Sequence, residues 1–335
     1  MFEIIKSGTT FDFVGKGKIT AAISLILVVA SIVLFFTKGL NYGIDFTGGA
    51  EVQVQLPGSW DIAKVRSELS DIKGMKVTQI EVDVPAGTTP QFQQYLVKAQ
   101  GDASSLNLIS KQISDTFAKS LQPGEFEIQR VDVVGPAAGE SLRMSGYLSM
   151  LYALICILIY VTIRFDIRYS PGAVIALFHD TVITLGVFIV LQKPFDLQIL
   201  AAILALIGYS NNDTIIVYDR VRETTQLHPE MSIGSAVNQA INETLARTIL
   251  TSLTTFLTVV ALWIFGGSVI HDFAFTLMIG LVVGSYSSIF VASSIVVWLT
   301  HFYQRREARE KNKNVNVSKK NIDHAKRSTS PDLVK

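Results

Sequence analysis

The sequence predicts an α-helical polytopic membrane protein with six transmembrane helices and one small α/β domain, outside the membrane, between the first helix and the second. Three observations predict it. Of 335 residues, 49% are hydrophobic and only 17% charged, with a mean hydropathy of +0.39; a soluble domain of this length carries more charge. Six apolar runs approach or exceed the roughly 20 residues a helix needs to cross a hydrocarbon core of about 30 Å. Between the first two runs lies a stretch of strand-like and helix-like periodicity punctuated by Gly and Pro.

The runs are Ile19–Thr37, Leu142–Ile163, Pro171–Leu191, Leu197–Val217, Arg247–Phe265 and Phe273–Leu299. The first follows Lys16 and Lys18, as a signal peptide would. It is longer than an ordinary h-region, however, and FFTKGLNYG after it lacks an A-x-A-like cleavage site, so it reads as a retained anchor. Lys6, Lys16 and Lys18 precede span one, Arg164 and Arg168 separate spans two and three, and Arg220 and Arg222 separate four and five. Arg305, Arg306 and Arg309 follow span six, whereas the alternate connections carry little more than Lys193. This bias places both termini in the cytoplasm. The expected organisation is a cytoplasmic segment 1–18, a first helix 19–37, an extracytoplasmic domain 38–141, helices two to six over 142–303, and a basic tail 304–335. The tail lacks apolar periodicity and is expected to be disordered, its basic residues attracted to anionic membrane lipid. A net charge of +1 gives no reason to expect a nucleic-acid partner. The one cysteine, Cys156, excludes an intrachain disulfide and a multi-cysteine zinc site, and reads as an inert packing residue. With no activated nucleophile, metal spacing or cofactor motif, neither an enzyme nor a cofactor is expected.

Outside the membrane, AEVQVQL alternates as a half-buried strand. WDIAKVRSELSDI has helical spacing of Ile62, Val65, Leu69 and Ile72. KVTQIEVDV and FQQYLVKA read as strands, SSLNLISKQISDTFAKSL as a helix and FEIQRVDVV as a fourth strand. The order βαββαβ is that of a ferredoxin-like split unit, large enough to fold alone, and best suited to binding or docking.

The polar residues inside the membrane are the candidates for chemistry. With span four centred near Ile207, Asp213 lies about 9 Å to the cytoplasmic side of the midplane, inside a half-thickness of about 15 Å. A carboxylate is costly there and normally has a partner. Arg247, about 13.5 Å from the midplane on the same side, is within side-chain reach of it; as an alternative it is a positive-inside anchor. Thr244, Thr248, Thr251, Thr255 and Thr258 recur along one face of span five. That stripe either hydrogen-bonds neighbouring helices or lines a hydrated path ending at Arg247. His179 and Asp180, in ALFHDTVITLG, fall near the middle of span three, as a packing pair or as part of a proton relay with Asp213 and Arg247. Sodium or potassium remains open as the coupling ion, although a metal-ion site would more naturally show broken helices. Gly280, Gly284, Ser288 and Ala292, four apart in span six, form a small-residue face for helix packing.

Four segments then resemble, in order, the signatures of the SecF family: GIDFTGGAE, VGPAAGESLR, IGYSNNDTIIVYDRVRE and NETLARTILTS, the likeness extending over about residues 12–303. The resemblance implies a subunit of the bacterial protein-export machinery in the cytoplasmic (inner) membrane. There it would work with SecD and use the proton gradient to help draw preproteins through the SecYEG channel. It implies that Asp213 and Arg247 are the family's essential acid and arginine, that Asn212 belongs to the motif, and that His179 and Asp180 match a family HD pair. The SNND run departs from it, since an apolar residue would be expected at Asn211. Two rivals come from other classes: half of a proton-coupled small-molecule exporter of the resistance–nodulation–division type, and a structural scaffold in which Asp213–Arg247 is a static ion pair.

Overall fold

The computed structural model describes residues 9–72, 75–80, 91–99, 103–122, 124–165, 169–306 and 309–310; most of the basic tail lies outside them. Six helices among these are long and apolar enough to cross a membrane. They are α1 (Gly17–Thr37), α5 (Pro136–Arg164), α6 (Ser170–Leu191), α7 (Leu197–Leu227), α8 (Ile233–Phe265) and α9 (Gly267–Ser287), the last continuing through a π-helical turn, Ser288–Ala292, to Arg306. The apolar runs located the helices but not their ends. α5 starts at Pro136, not Leu142, because proline at the first helical position gives up no needed N–H. α7 continues beyond Val217 and α8 begins well before Arg247. The last part of α7 and the first part of α8 pack together through Val217, Val221, Val237, Ala240 and Ile241, joined by Phe13 and Val14. Hydropathy falls along this stretch, yet one apolar face persists, and that face keeps the chain helical.

The small α/β domain follows the expected order. After a short turn of helix, α2 (Ile44–Thr47), come β1 (Gly49–Pro57), α3 (Ile62–Glu68), β2 (Met75–Ile80), β3 (Phe92–Ala99), α4 (Ala103–Ser120) and β4 (Glu127–Val134). The second expected strand runs on past Ile80 into residues outside those described. The sheet order is β2-β3-β1-β4 with every neighbouring pair antiparallel. Val52, Val54 and Leu56 of β1 and Tyr95 and Val97 of β3 bury one face against Ile113 and Phe117 of α4. The other face is polar, with Gln53 bonded to Gln94 and Gln129 and Glu51 to Lys98 at 2.8 Å. One packed face and one wet face explain the strict alternation of AEVQVQL.

The domain joins the bundle through the GIDFTGG segment. Asp45 Oδ2 accepts from the Leu197 amide at 3.0 Å, and Asp196 Oδ1 from the Ile199 amide at 3.0 Å. Two carboxylates thus satisfy the free N–H groups that open α7. Burial raises the Asp196 carboxyl above its ordinary pKa, with the neighbouring Asp45 adding to the shift. Gly48 has φ +71° and Gly49 φ +150°. A Cβ at Gly48 would stand 2.6 Å from the Pro136 Cα, and one at Gly49 2.7 Å from the Ala99 carbonyl oxygen. Only glycine lets the chain pass between the start of α5 and the end of β3. Phe46 stacks on Phe195, their centroids 5.5 Å apart, and Tyr42 and Tyr147 share a 2.7 Å hydroxyl contact. Burial, then that contact, pushes the Tyr42 hydroxyl up to about 12.

Candidate functional site

Helices α6, α7, α8 and α9 converge on two buried carboxylates, Asp180 and Asp213, each 1% exposed. Asp180 is hydrogen-bonded at both oxygens. Its Oδ1 lies 2.9 Å from His179 Nδ1, and its Oδ2 accepts from Ser210 on α7 at 2.6 Å and Ser287 on α9 at 2.8 Å. A Cβ at Gly284 would sit 3.2 Å from the Ser210 side chain and 3.6 Å from Asp180 Oδ2, so that glycine gives α9 room beside the cluster. The His179 ring stacks on Tyr286, centroids 6.2 Å apart, while its Nε2 is buried without a partner among the described residues.

Asp213 is held differently. Its Oδ2 accepts from Ser252 on α8 at 3.1 Å, and Ser252 Oγ accepts in turn from Ser285 on α9 at 2.8 Å. Its Oδ1 is buried and has no partner among the described residues. Arg247 makes no ion pair with it. The guanidinium is exposed and bears on the carboxylate only as a nearby charge. The reason is rotational: Arg247 precedes Ser252 by five positions, about 140° around a helix of 3.6 residues per turn. When Ser252 faces Asp213, Arg247 faces outward. Matching their depths could not foresee this.

The threonine stripe also divides. Thr248 is buried with its hydroxyl unpartnered. Thr251, Thr255 and Thr258 donate at 3.0 Å to carbonyls one turn back on their own helix, and Thr244 does the same at 2.9 Å. Among the described residues, only Tyr209 ties the stripe to another helix, through the Thr251 carbonyl at 2.9 Å and Thr255 Oγ1 at 3.1 Å. The threonines are therefore not strung into a hydroxyl wire. Asn212 is exposed, whereas Asn211 is buried with its Oδ1 unpartnered. Gly280 lies against Leu206, where a Cβ would come within 2.3 Å of Cδ2. Ser288 begins the π-helical turn and Ala292 ends it. Cys156 is exposed on α5 rather than packed inside.

Comparison with known proteins places this geometry in a family. Residues 113–301 match the model of the protein export membrane protein SecD/SecF C-terminal region, and residues 33–56 the SecD/SecF GG motif. The chain belongs to the SecD/SecF family of protein export membrane proteins. It is 44% identical over 310 residues to the protein translocase subunit SecF of Magnetococcus marinus, covering 92% of this chain and 98% of the relative. With the SecF of Vibrio alginolyticus the identity is 40%, over 89% and 93% of the two chains. Among solved structures, it resembles SecDF of Thermus thermophilus, described as a translocon-associated membrane protein. The TM-score is 0.77 at 34% identity, covering 88% of this chain and 39% of that one. A SecDF structure in a super-membrane-facing form matches with a TM-score of 0.66, covering 93% and 41%. The chain thus spans about two fifths of the SecDF chains it resembles.

Within the SecD/SecF frame, sequence reasoning missed Ser210, Ser252 and Ser287, the three hydroxyls bonded to the carboxylates, and Ser285, which backs Ser252. Ser252 lies one turn after Thr248 on the same face and was legible in principle. Ser285 and Ser287 gave no signal, because only the packing of α9 brings one to Ser252 and the other to Asp180. Asn238 and Asn242 were also missed. In the first turns of α8 they bond the backbone of Phe11, Phe13 and Val14, including two bonds of 2.8 Å.

Proposed function

We propose that this chain is an accessory subunit of the Sec preprotein translocase, working with a SecD partner to couple the proton gradient to export through SecYEG. In this reading both termini lie in the cytoplasm of a bacterium, the outer domain faces the other side of the inner membrane, and the chain is not an enzyme. Asp213 is the group that alternates between charged and neutral. Arg247, reaching it as a charge without contact, favours the ionised state. The threonine face, with Asn212 outward, borders the route by which protons arrive. Changing the charge of Asp213 alters what holds α7 to α8 and α9, and the outer domain, anchored to α7 through Asp45, moves with them.

The observation that carries the reading is the buried Asp213 oxygen left without a partner in an apolar span. Such a group is expensive to keep in a membrane unless its charge is used. One proton moving down 100 mV supplies about 2.3 kcal/mol, enough to shift a helix contact. The test is preprotein translocation into inverted membrane vesicles, with and without a proton gradient, for the native chain and Asp213→Asn. Loss of the gradient-stimulated component with the complex still assembled is expected; stimulation that survives sinks the reading. For His179 and Asp180, hydrogen bonds at both Asp180 oxygens favour a second role, a fixed polar joint among α6, α7 and α9.

A further inference from the structure

Along α8 the threonine hydroxyls that donate do so to their own helix's carbonyls, the default for a hydroxyl in a helix. Ser252 departs from that default and donates across to Asp213. Behind it stands Ser285, whose Oγ is 2.8 Å from Ser252 Oγ and also 2.8 Å from the Leu281 carbonyl oxygen. A hydroxyl has one proton to donate, so Ser285 has a choice of two acceptors at equal distance. We propose that Ser252 and Ser285 form a reversible hydroxyl relay that keeps Asp213 hydrogen-bonded in both of its charge states.

When Asp213 is ionised, Ser285 donates to Ser252 and Ser252 donates to Asp213 Oδ2. When a proton has added to Oδ2, Asp213 donates to Ser252, Ser252 to Ser285, and Ser285 to the Leu281 carbonyl, whose second lone pair is free beside the helix ladder. The only new covalent bond is the carboxyl O–H; both hydroxyls merely rotate. Every group on the path is satisfied in either state, so the carboxyl can change charge inside the membrane without stranding a buried donor. The change is felt on α9 just before the π-helical turn at Ser288–Ala292, a helix irregularity of the kind found at functional sites.

The inference rests on Asp213 being the group that titrates. Arg247 on α8 is the charged residue that bears on it. α9 presents hydroxyls, and α6 presents the His179–Asp180 pair, which is engaged with Ser210. Ser252 and Ser285 are positioning residues, and their signature is the pH profile rather than the amount of activity.

The experiment measures carbodiimide labelling of Asp213 across pH, by mass spectrometry, in the full chain assembled with its partner in membranes. Ser252→Ala removes a donor to the charged form, a bond stronger than any it removes from the neutral form, and should move the profile up by about one pH unit. Ser285→Ala strands the Ser252 proton only in the neutral form, and should move the profile down by a smaller amount. In the Ser252→Ala background, Ser285→Ala should add no further shift, and Ser252→Thr should restore the native profile. Unchanged midpoints, or shifts of the same sign in the two single variants, overturn the relay. If Ser252→Ala does not accumulate, Ser285→Ala and Ser252→Thr carry the same decision. Asp213→Asn in the export assay runs alongside. Stimulated export that persists there removes the coupling role, whereas labelling profiles that do not move remove only the relay.

Discussion

Asp180 and Asp213 sit on neighbouring helices, equally shielded from solvent, yet the protein treats them differently. Asp180 receives two serine hydroxyls on one oxygen and His179 on the other. Asp213 receives one hydroxyl and keeps one oxygen bare. Burial is the same, so burial is not what distinguishes the two; the hydrogen bonds are. A carboxylate with both oxygens engaged, by partners on three helices, resists rearrangement, whereas one held by a single serine hydroxyl is freer to change its charge, as the proposed coupling role requires.

The strongest way to break this comparison is to neutralise each acid in turn. Asp213→Asn is expected to abolish gradient-stimulated translocation while leaving assembly intact. Asp180→Asn should cost roughly 1–3 kcal/mol in thermal unfolding, through its disturbed hydrogen bonds, and keep the stimulation per assembled complex. If Asp180→Asn instead silenced export in a stably assembled complex, the two acids would share one role.

A second test separates charge from contact. Because Arg247 bears on Asp213 only as a nearby charge without contact, Arg247→Lys should retain most of the stimulated rate, and Arg247→Gln should reduce it several-fold. A bidentate contact would make lysine fail as well, so equal loss in both variants would refute the outward-facing geometry. Packing beside the two acids comes next. Gly280→Ala should lower thermal stability by about 1–3 kcal/mol, since its Cβ meets Leu206 at 2.3 Å. Gly284→Ala, with its nearest atom at 3.2 Å, should cost less but weaken the Ser210–Asp180 bond, seen as a lower melting temperature without loss of coupling.

The smallest expected effect lies outside the membrane. Asp196 is held above the usual carboxylate range by burial, so the folded state keeps its proton more tightly than the unfolded chain does. The native protein should therefore gain stability as pH falls through that raised range and lose this contribution as pH rises. Asp196→Asn still offers an oxygen to the Ile199 amide and should melt without that acid-side gain. An unchanged pH dependence would mean that the charge of Asp196 plays no part in anchoring α7.

Much of the protein was legible in one dimension because the lipid core and the strand pleat impose strict periods. Six long apolar runs have few alternatives to six helices. AEVQVQL and FQQYLVKA alternate as one-sided strands must, so the βαββαβ order could be read before any contact was known. The sequence by itself also singled out Asp213, Asp180, His179 and Arg247, since a charged residue in an apolar span has no cheap explanation. Tertiary structure decided what those residues touch. Serines are nearly neutral to hydropathy, so nothing in the chain distinguishes Ser285 or Ser287 from any small helical residue until α9 packs against α8 and α6. Arg247 turned away from Asp213 for the same reason: depth in the membrane follows from position along the chain, whereas the direction a side chain faces depends on how its helix is rotated against its neighbours.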